Sequence, residues 1–279
     1  MDAVCLEHSL TSEEQKQFEQ DGFFIVADAI PSELVADLTA VTDRIIEDHR
    51  QTANLSPHST INMLDFIGKD QVYLQLIDWH KTFPKVWGIL GWNIKLYHSH
   101  LIVTPPQPDA DPNRRLGWHQ DSGRLNIELE GNPRPRVSLK VGFFLSDTTR
   151  SDRGNFHVLP GAHRQNSLDL PTDGTNPVNA CPVCVPAGTA VFFDRRLWHA
   201  AGINTSNVIR RVLFYGYSYR WLQPRDDMTV DHYMEKAAPI RQQLLGKSTG
   251  GMGYTSPGEL DVPLRSWLTD HLGAEAVPG

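Results

Sequence analysis

The sequence is poor in cysteine, has a deficit of positive charge and lacks any long apolar run. Three cysteines in 279 residues are an odd, small number. That argues against a disulfide framework and for a reducing compartment, with the cytoplasm as the expectation. Lys and Arg number 26 against 33 Asp and Glu, a net charge of -7, and no basic arm is present. Nucleic acid is therefore not expected as a partner. No apolar stretch approaches the roughly 20 residues that span a bilayer, so a membrane partner is not expected either. Residues 1–10 carry acids and no apolar h-region, so no signal peptide is expected. The final Ala276-Val277-Pro278-Gly279 is not a peroxisomal address. Internal repeats and low-complexity segments are missing. So are long helices alternating with strands, which argues against a parallel βαβ sheet.

What remains reads as one domain over residues 1–279. Hydrophobic residues make up 40% and charged residues 21%, ordinary for a globular chain long enough to bury a sizeable core. A helical support is expected at about 10–50. Thr11 and Glu14 form a capping box, and Asp21-Gly22 ends the first helix. Residues 23–26 follow as a short strand. Pro31 opens a second helix with Leu34, Leu38, Val41 and Ile45 on one face. Residues 47–70 are polar with few periodic cues. Segments 96–104, 137–145, 155–159, 189–194 and 208–219 are rich in β-branched and aromatic residues and separated by Gly and Pro clusters. The fold expected is mainly β with flanking helices, a double-stranded β-helix of jelly-roll or cupin-like type with its core at about 95–220. A helical segment is expected at about 223–279, with 237–245 and 262–272 as its helices. Between them, residues 246–253 hold four glycines, a lid or an idle loop.

The string Gly117-Trp118-His119-Gln120-Asp121 carries the chemistry. Along a strand, residues i and i+2 share a face, so His119 and Asp121 present an imidazole and a carboxylate together. Trp198-His199 follows the strand at 189–194. Two histidines and a carboxylate on one face of a metal make a facial triad with open positions, the non-haem ferrous pattern. A His-x-Asp spacing alone is weak, because twelve histidines and many acids produce it by chance. Trp118 and Trp198 fall on the opposite face and read as packing. Arg195 and Arg196 precede the distal His and could steer an anion. Of Phe143 and Phe144, one lines the barrel.

Past His199, the last strand carries Arg210 and Arg211. An arginine inside a barrel must be paired, and a dicarboxylate would pair it through a bidentate fork. Both faces of that strand are apolar, so periodicity does not choose between the two. Cys181-Pro182-Val183-Cys184 is a single C-x-x-C ahead of a strand, with no second pair to complete a zinc site.

Four pieces in order resemble the phytanoyl-CoA dioxygenase-type Fe(II)/2-oxoglutarate-dependent oxygenases. They are Leu10-Thr11-Ser12-Glu13-Glu14 through Asp21-Gly22-Phe23-Phe24-Ile25-Val26; Trp118-His119-Gln120-Asp121; Gly154-Asn155-Phe156-His157-Val158-Leu159-Pro160-Gly161-Ala162-His163-Arg164; and Pro186-Ala187-Gly188-Thr189-Ala190-Val191-Phe192-Phe193-Asp194 with His199-Ala200-Ala201-Gly202-Ile203-Asn204-Thr205-Ser206 and Arg210. The resemblance implies that His119, Asp121 and His199 ligate Fe(2+). It also implies that Arg210 binds the far carboxylate of 2-oxoglutarate and that His163 belongs to a structural turn. Many relatives carry Lys-Pro-Pro where this chain has Thr104-Pro105-Pro106, which weakens substrate analogies. His100 is either a second contact to 2-oxoglutarate or a packed strand histidine.

The resemblance further implies an enzyme that consumes O2 and 2-oxoglutarate, releases succinate and CO2, and oxidises an unactivated C–H bond of a small-molecule metabolite or natural product. Asp121 in place of Gly or Ala leaves no site for halide, so hydroxylation is expected over halogenation. Desaturation or cyclisation would diverge later. The alternatives are a metal-dependent cupin-type lyase or isomerase, or a binding barrel without turnover. Substrate and oligomeric state are not legible.

Overall fold

The computed structural model describes residues 1–255 and 257–277. Thr11 caps helix α1 (Ser12–Asp21): its hydroxyl accepts from Glu14 N, and the Glu14 carboxylate accepts from Thr11 N. Gly22 ends α1 at φ 81°, a left-handed turn suited to a residue without Cβ. Strand β1 (Phe23–Val26) and helix α2 (Ser32–Ala53) follow. α2 buries Leu34, Leu38, Thr42 and Ile46, so Val41 and Ile45 flank the buried stripe instead of filling it.

Residues 47–70 are not featureless: α2 runs into them, and β2 (Ile61–Leu64) forms there. Helix α3 (Phe83–Leu90), also unexpected, leads to the long strand β3 (Ile94–Thr104). Next come helix α4 (Gly123–Glu128) and strands β4 (Ser138–Phe144), β5 (Phe156–Val158) and β6 (Cys181–Pro182). Strands β7 (Ala190–Asp194), β8 (His199–Ala201) and β9 (Arg210–Tyr219) complete the β region. Helices α5 (Pro239–Leu244) and α6 (Pro263–Leu272) lie within the expected segments.

Six strands form one antiparallel sheet in the order β1-β7-β4-β9-β3-β2, and β6-β5-β8 form a smaller one. Their facing sides share an apolar cluster in which Phe144, Phe193, Val212 and Phe214 of the large sheet meet Phe156 and Val158 of the small one. This is the double-sheet jelly roll that the strand pattern predicts. The other face of the large sheet packs on helices: Leu139, Val141, Phe143, Leu213 and Tyr215 join Leu38, Ile46, Leu264 and Leu268. Burying each such side chain is worth roughly 1.5–3 kcal/mol. Tyr215 and Tyr217 each donate a hydroxyl hydrogen bond at 2.8 Å, to the carbonyls of Tyr73 and Ile77, which ties sheet to helical layer.

Two local devices shape the barrel interior. The β3–β9 register shifts between Leu96 and His98, a bulge that lets adjacent Tyr97 and His98 both turn inward. Gly216 lies beneath them, where a Cβ would come within 2.9 Å of the Tyr97 ring. At Gly142, a Cβ would stand 2.8 Å from the Phe214 ring, so glycine there lets that ring lie flat across the strand.

Candidate metal centre and its cavity

His119 and Asp121 do not lie in a regular strand. They sit on an extended segment whose His119 exchanges both backbone hydrogen bonds with His199 at 3.0 Å. Asp121 N then donates to Arg195 O at 2.9 Å. Backbone pairing alone thus brings the two stretches together, and one ligand atom from each of His119, Asp121 and His199 lies within 4.8 Å of the others. The imidazole centroids are 4.3 Å apart.

Each imidazole is fixed by its own turn. His119 Nδ1 bonds the Gly117 carbonyl at 2.9 Å, and His199 Nδ1 bonds the Leu197 carbonyl at 2.8 Å. A carbonyl accepts, so Nδ1 carries a proton and Nε2 is the nitrogen left to ligate, the arrangement of a metal-binding histidine. Burial pushes His199 down to about 4, against the opposing pull of Asp121. Burial alone would raise Asp121, but Lys140, His199 and His119 outweigh it and hold the carboxyl well below the usual range. Two imidazoles and one carboxylate are a donor set that fits ferrous iron.

These groups line a cavity of about 180 Å³ together with His100, Lys140 and Arg210. Arg210 is 1% exposed, and its Nε and Nη1 have no hydrogen-bond partner. Burial pushes it down to about 10. Arg211 faces the other way and donates to Asp43 at 2.6 and 2.9 Å, so of the two arginines it is Arg210 that lines the cavity. Thr104 pairs with Arg210 across β3 and β9, and its buried hydroxyl also lacks a partner. His100 lines the cavity with Nε2 unpartnered, and burial pushes it down to about 3. A larger groove of about 650 Å³ beside Trp87, Tyr219 and Trp221 holds none of these groups.

Several other expectations change. Arg195 and Arg196 are buried, not exposed. Arg195 donates to Asn126 Oδ1 and the Pro135 carbonyl, and Arg196 to Asp194. With these partners they brace the turn before His199. Trp118 and Trp198 donate to Asn176 Oδ1 and the Gln165 carbonyl, outside the cavity. Phe144 faces the barrel and Phe143 the helical layer. Residues 246–253 do not reach the cavity: Ser248 meets Arg220, and Thr249 is tied to Asp261. Cys181 and Cys184 are free thiols, and burial raises both. His163 is buried against Gly22.

The sequence reading missed Lys140, Arg225, His98 and Asp226. Lys140 Nζ lies 2.9 Å from Asp121 Oδ2 with its side chain 4% exposed. A single charged residue inside the strand Ser138–Phe144 was the available signal for Lys140.

A family model described as phytanoyl-CoA dioxygenase (PhyH) matches residues 18–212. An uncharacterized protein of Mycobacterium tuberculosis is 33% identical over 142 residues, covering 50% of this chain and 48% of that one. The match thus spans about half the length of that relative. An ectoine dioxygenase of Stutzerimonas stutzeri is 22% identical over 240 residues, covering 75% of this chain and 77% of the other. Among solved structures, HygX from Streptomyces hygroscopicus with nickel and 2-oxoglutarate bound superposes with a TM-score of 0.60 at 17% identity, covering 77% of this chain and 89% of that chain. That likeness bears on the fold.

Proposed function

The chain belongs to the phytanoyl-CoA dioxygenase family, and on that premise we propose that it is an Fe(II)/2-oxoglutarate-dependent dioxygenase hydroxylating a C–H bond of a small-molecule metabolite or natural product. His119, Asp121 and His199 hold the iron through two Nε2 atoms and a carboxylate oxygen. Bound there, ferrous iron with O2 and 2-oxoglutarate supplies the oxidising power, one oxygen atom entering succinate as CO2 leaves and the other entering the substrate as a hydroxyl. Arg210 grips the far carboxylate of 2-oxoglutarate through a bidentate fork, with the Thr104 hydroxyl beside it. His100, neutral under burial, offers a second contact to the same co-substrate. The apolar walls from Phe156, Phe193 and Phe214 exclude water from the space between these groups.

The observation that carries this reading is Arg210: a buried cation without a protein partner that lines the same cavity as the His119–Asp121–His199 cluster. A buried unpaired charge costs several kcal/mol, which a bound carboxylate offsets. A metal-dependent lyase or isomerase, or a barrel without turnover, has no such need for the guanidinium. Anaerobic titration of the ferrous protein with 2-oxoglutarate tests the reading. A weak visible charge-transfer band is expected, and its absence would sink the assignment.

A further inference from the structure

The cavity has two cationic poles. Lys140 pairs with Gly216 across β4 and β9, six residues along β9 from Arg210, or about 20 Å of strand at ~3.4 Å per residue. Lys140 Nζ stands 2.9 Å from Asp121 Oδ2 at the other pole. Three cationic side chains line this cavity, Lys140, Arg210 and Arg225, against one acid, Asp121.

Arg225 is positioned with care. Its backbone N–H donates to the Tyr97 carbonyl at 2.8 Å, and Nη1 donates to His98 Nε2 at 3.0 Å. His98 Nδ1 in turn faces Asp226 Oδ2 at 3.6 Å. Asp226 Oδ2 accepts from Ser99 N at 2.7 Å and Asp65 N at 3.1 Å. The β3 bulge therefore holds one edge of the guanidinium and leaves its other donors for the cavity. Beyond Arg225 lies a second cavity of about 340 Å³ that shares Ser122 and Arg225 with the first; Tyr97, Leu125 and Leu222 give it an apolar side, and Arg124 and Gln223 a polar one. Arg124 is taken up by Glu128 at 2.6 Å, which leaves Tyr97, Leu125 and Leu222 as the side that suits an apolar body.

Resting on the Fe(II)/2-oxoglutarate reading above, we infer that Lys140 and Arg225 form the anchor for a carboxylate on the primary substrate, a small organic acid whose apolar body lies in the Tyr97–Leu125–Leu222 cavity. Arg210 takes the co-substrate's far carboxylate, so the second pole is free for another anion. Asp121 does not exhaust Lys140: an ammonium carries three donors, and this carboxylate is the one acid within ion-pair distance of it among the described residues. When Asp121 also serves a divalent cation, Lys140 is left needing a further anion. Because Lys140 touches Asp121, an acid seated on it presents carbons near its own carboxylate to the His119–Asp121–His199 cluster. The anchor accordingly sets both substrate class and the position oxidised.

The test uses full-length protein, anaerobic, loaded with Fe(II) and saturated with 2-oxoglutarate, and two probes that differ at the head group: 3-phenylpropanoate and 3-phenylpropanamide. Paramagnetic broadening of probe proton resonances reports seating near the metal without turnover, with a zinc-loaded sample as the diamagnetic reference. The acid is expected to broaden at least tenfold more than the amide, most strongly at the protons next to the carboxylate. Lys140→Met and Arg225→Gln should each reduce that broadening about tenfold. Arg225 is solvent-exposed, so its variant keeps the test decisive if Lys140→Met does not fold. Equal broadening of acid and amide, or an undiminished signal in Arg225→Gln, overturns the anchor while the charge-transfer band of bound 2-oxoglutarate persists. Loss of that band in the unmodified protein overturns the underlying oxygenase reading instead.

Discussion

Arg210 and Arg211 are neighbours in the chain with opposite surroundings. Arg210 is buried with Nε and Nη1 unpartnered, whereas Arg211 donates to both carboxylate oxygens of Asp43 at 2.6 and 2.9 Å. A strand that alternates faces puts one guanidinium into the barrel and the other into a partly exposed ion pair. The two should respond to substitution in opposite ways. Arg210→Met is expected to weaken 2-oxoglutarate binding by about a hundredfold, since truncating one partner of a buried charge pair costs roughly 2–5 kcal/mol. It should also raise the thermal midpoint of the ligand-free protein, because it removes an unpaired buried charge. Arg211→Met should leave 2-oxoglutarate binding unchanged and lower stability by about 1 kcal/mol or less. Titration of the charge-transfer band and thermal melts check both, and an Arg210→Met protein that binds 2-oxoglutarate normally would refute the role.

Acid should destabilise the metal-free protein in a particular window. Burial lowers His100 to about 3 and His199 to about 4, from an ordinary 6.5. The folded state then binds fewer protons than the unfolded state between those values. Stability is therefore greatest above pH 6.5 and falls as pH drops from 6.5 toward about 4. Replacing His100 with Phe removes one such group and should flatten the slope. The urea midpoint measured across pH 4–7 reads this out, and an unchanged slope in His100→Phe would contradict the burial argument.

The parts of this arrangement that were legible in sequence are those carried by spacing and residue type. His119, Asp121 and His199 come from two short strings, which three backbone hydrogen bonds join. Arg210 was not separable from Arg211 because β9 is covered on both sides, by the small sheet and by the helices, so its two faces read alike. Lys140 was harder to place for a related reason: all seven positions of β4 are buried, so its alternation of Ser138, Lys140 and Gly142 with Leu139, Val141 and Phe143 reads like a solvated face although none is exposed. The burial of Arg195 is not legible because its partners, Asn126 and Pro135, lie 69 and 60 residues away in sequence; Asp194, two residues before Arg196, was near enough to be found. β2 is four residues long and α3 eight, too short for periodicity to declare them.

The arginine pair ahead of His199 gives a prediction about stability alone. Arg196 donates to Asp194 at 2.7 and 2.9 Å, and Arg136 adds a third contact at 2.8 Å. Asp194 is fully buried, and although burial would raise its carboxyl, Arg196 and Arg136 hold it below the ordinary value. Arg196→Met strands much of that charge and should destabilise by about 3–5 kcal/mol. Because the side chain points away from the cavity, KM for any substrate should hold in the protein that remains folded. A raised KM at unchanged thermal midpoint would mean that Arg196 reaches substrate after all.

The ion pair between Lys140 and Asp121 couples charge balance to metal loading. Asp121→Ala leaves Lys140 buried without its partner, a change expected to destabilise by roughly 3–5 kcal/mol, and it also removes a metal ligand. Lys140→Met leaves a buried carboxylate instead, which a divalent cation can neutralise. Added metal should therefore stabilise Lys140→Met more than the unmodified protein and do little for Asp121→Ala, since a ligand that binds the folded state stabilises it in proportion to its affinity. The double variant should be less destabilised than the sum of the singles, by about 0.5–3 kcal/mol, because the two side chains are in contact. Thermal melts with and without Fe(II), Zn(II) or Ni(II), together with bound-metal content, measure all four corners. Additive losses, or equal metal response in Lys140→Met and Asp121→Ala, would show that Lys140 and the metal do not share this carboxylate.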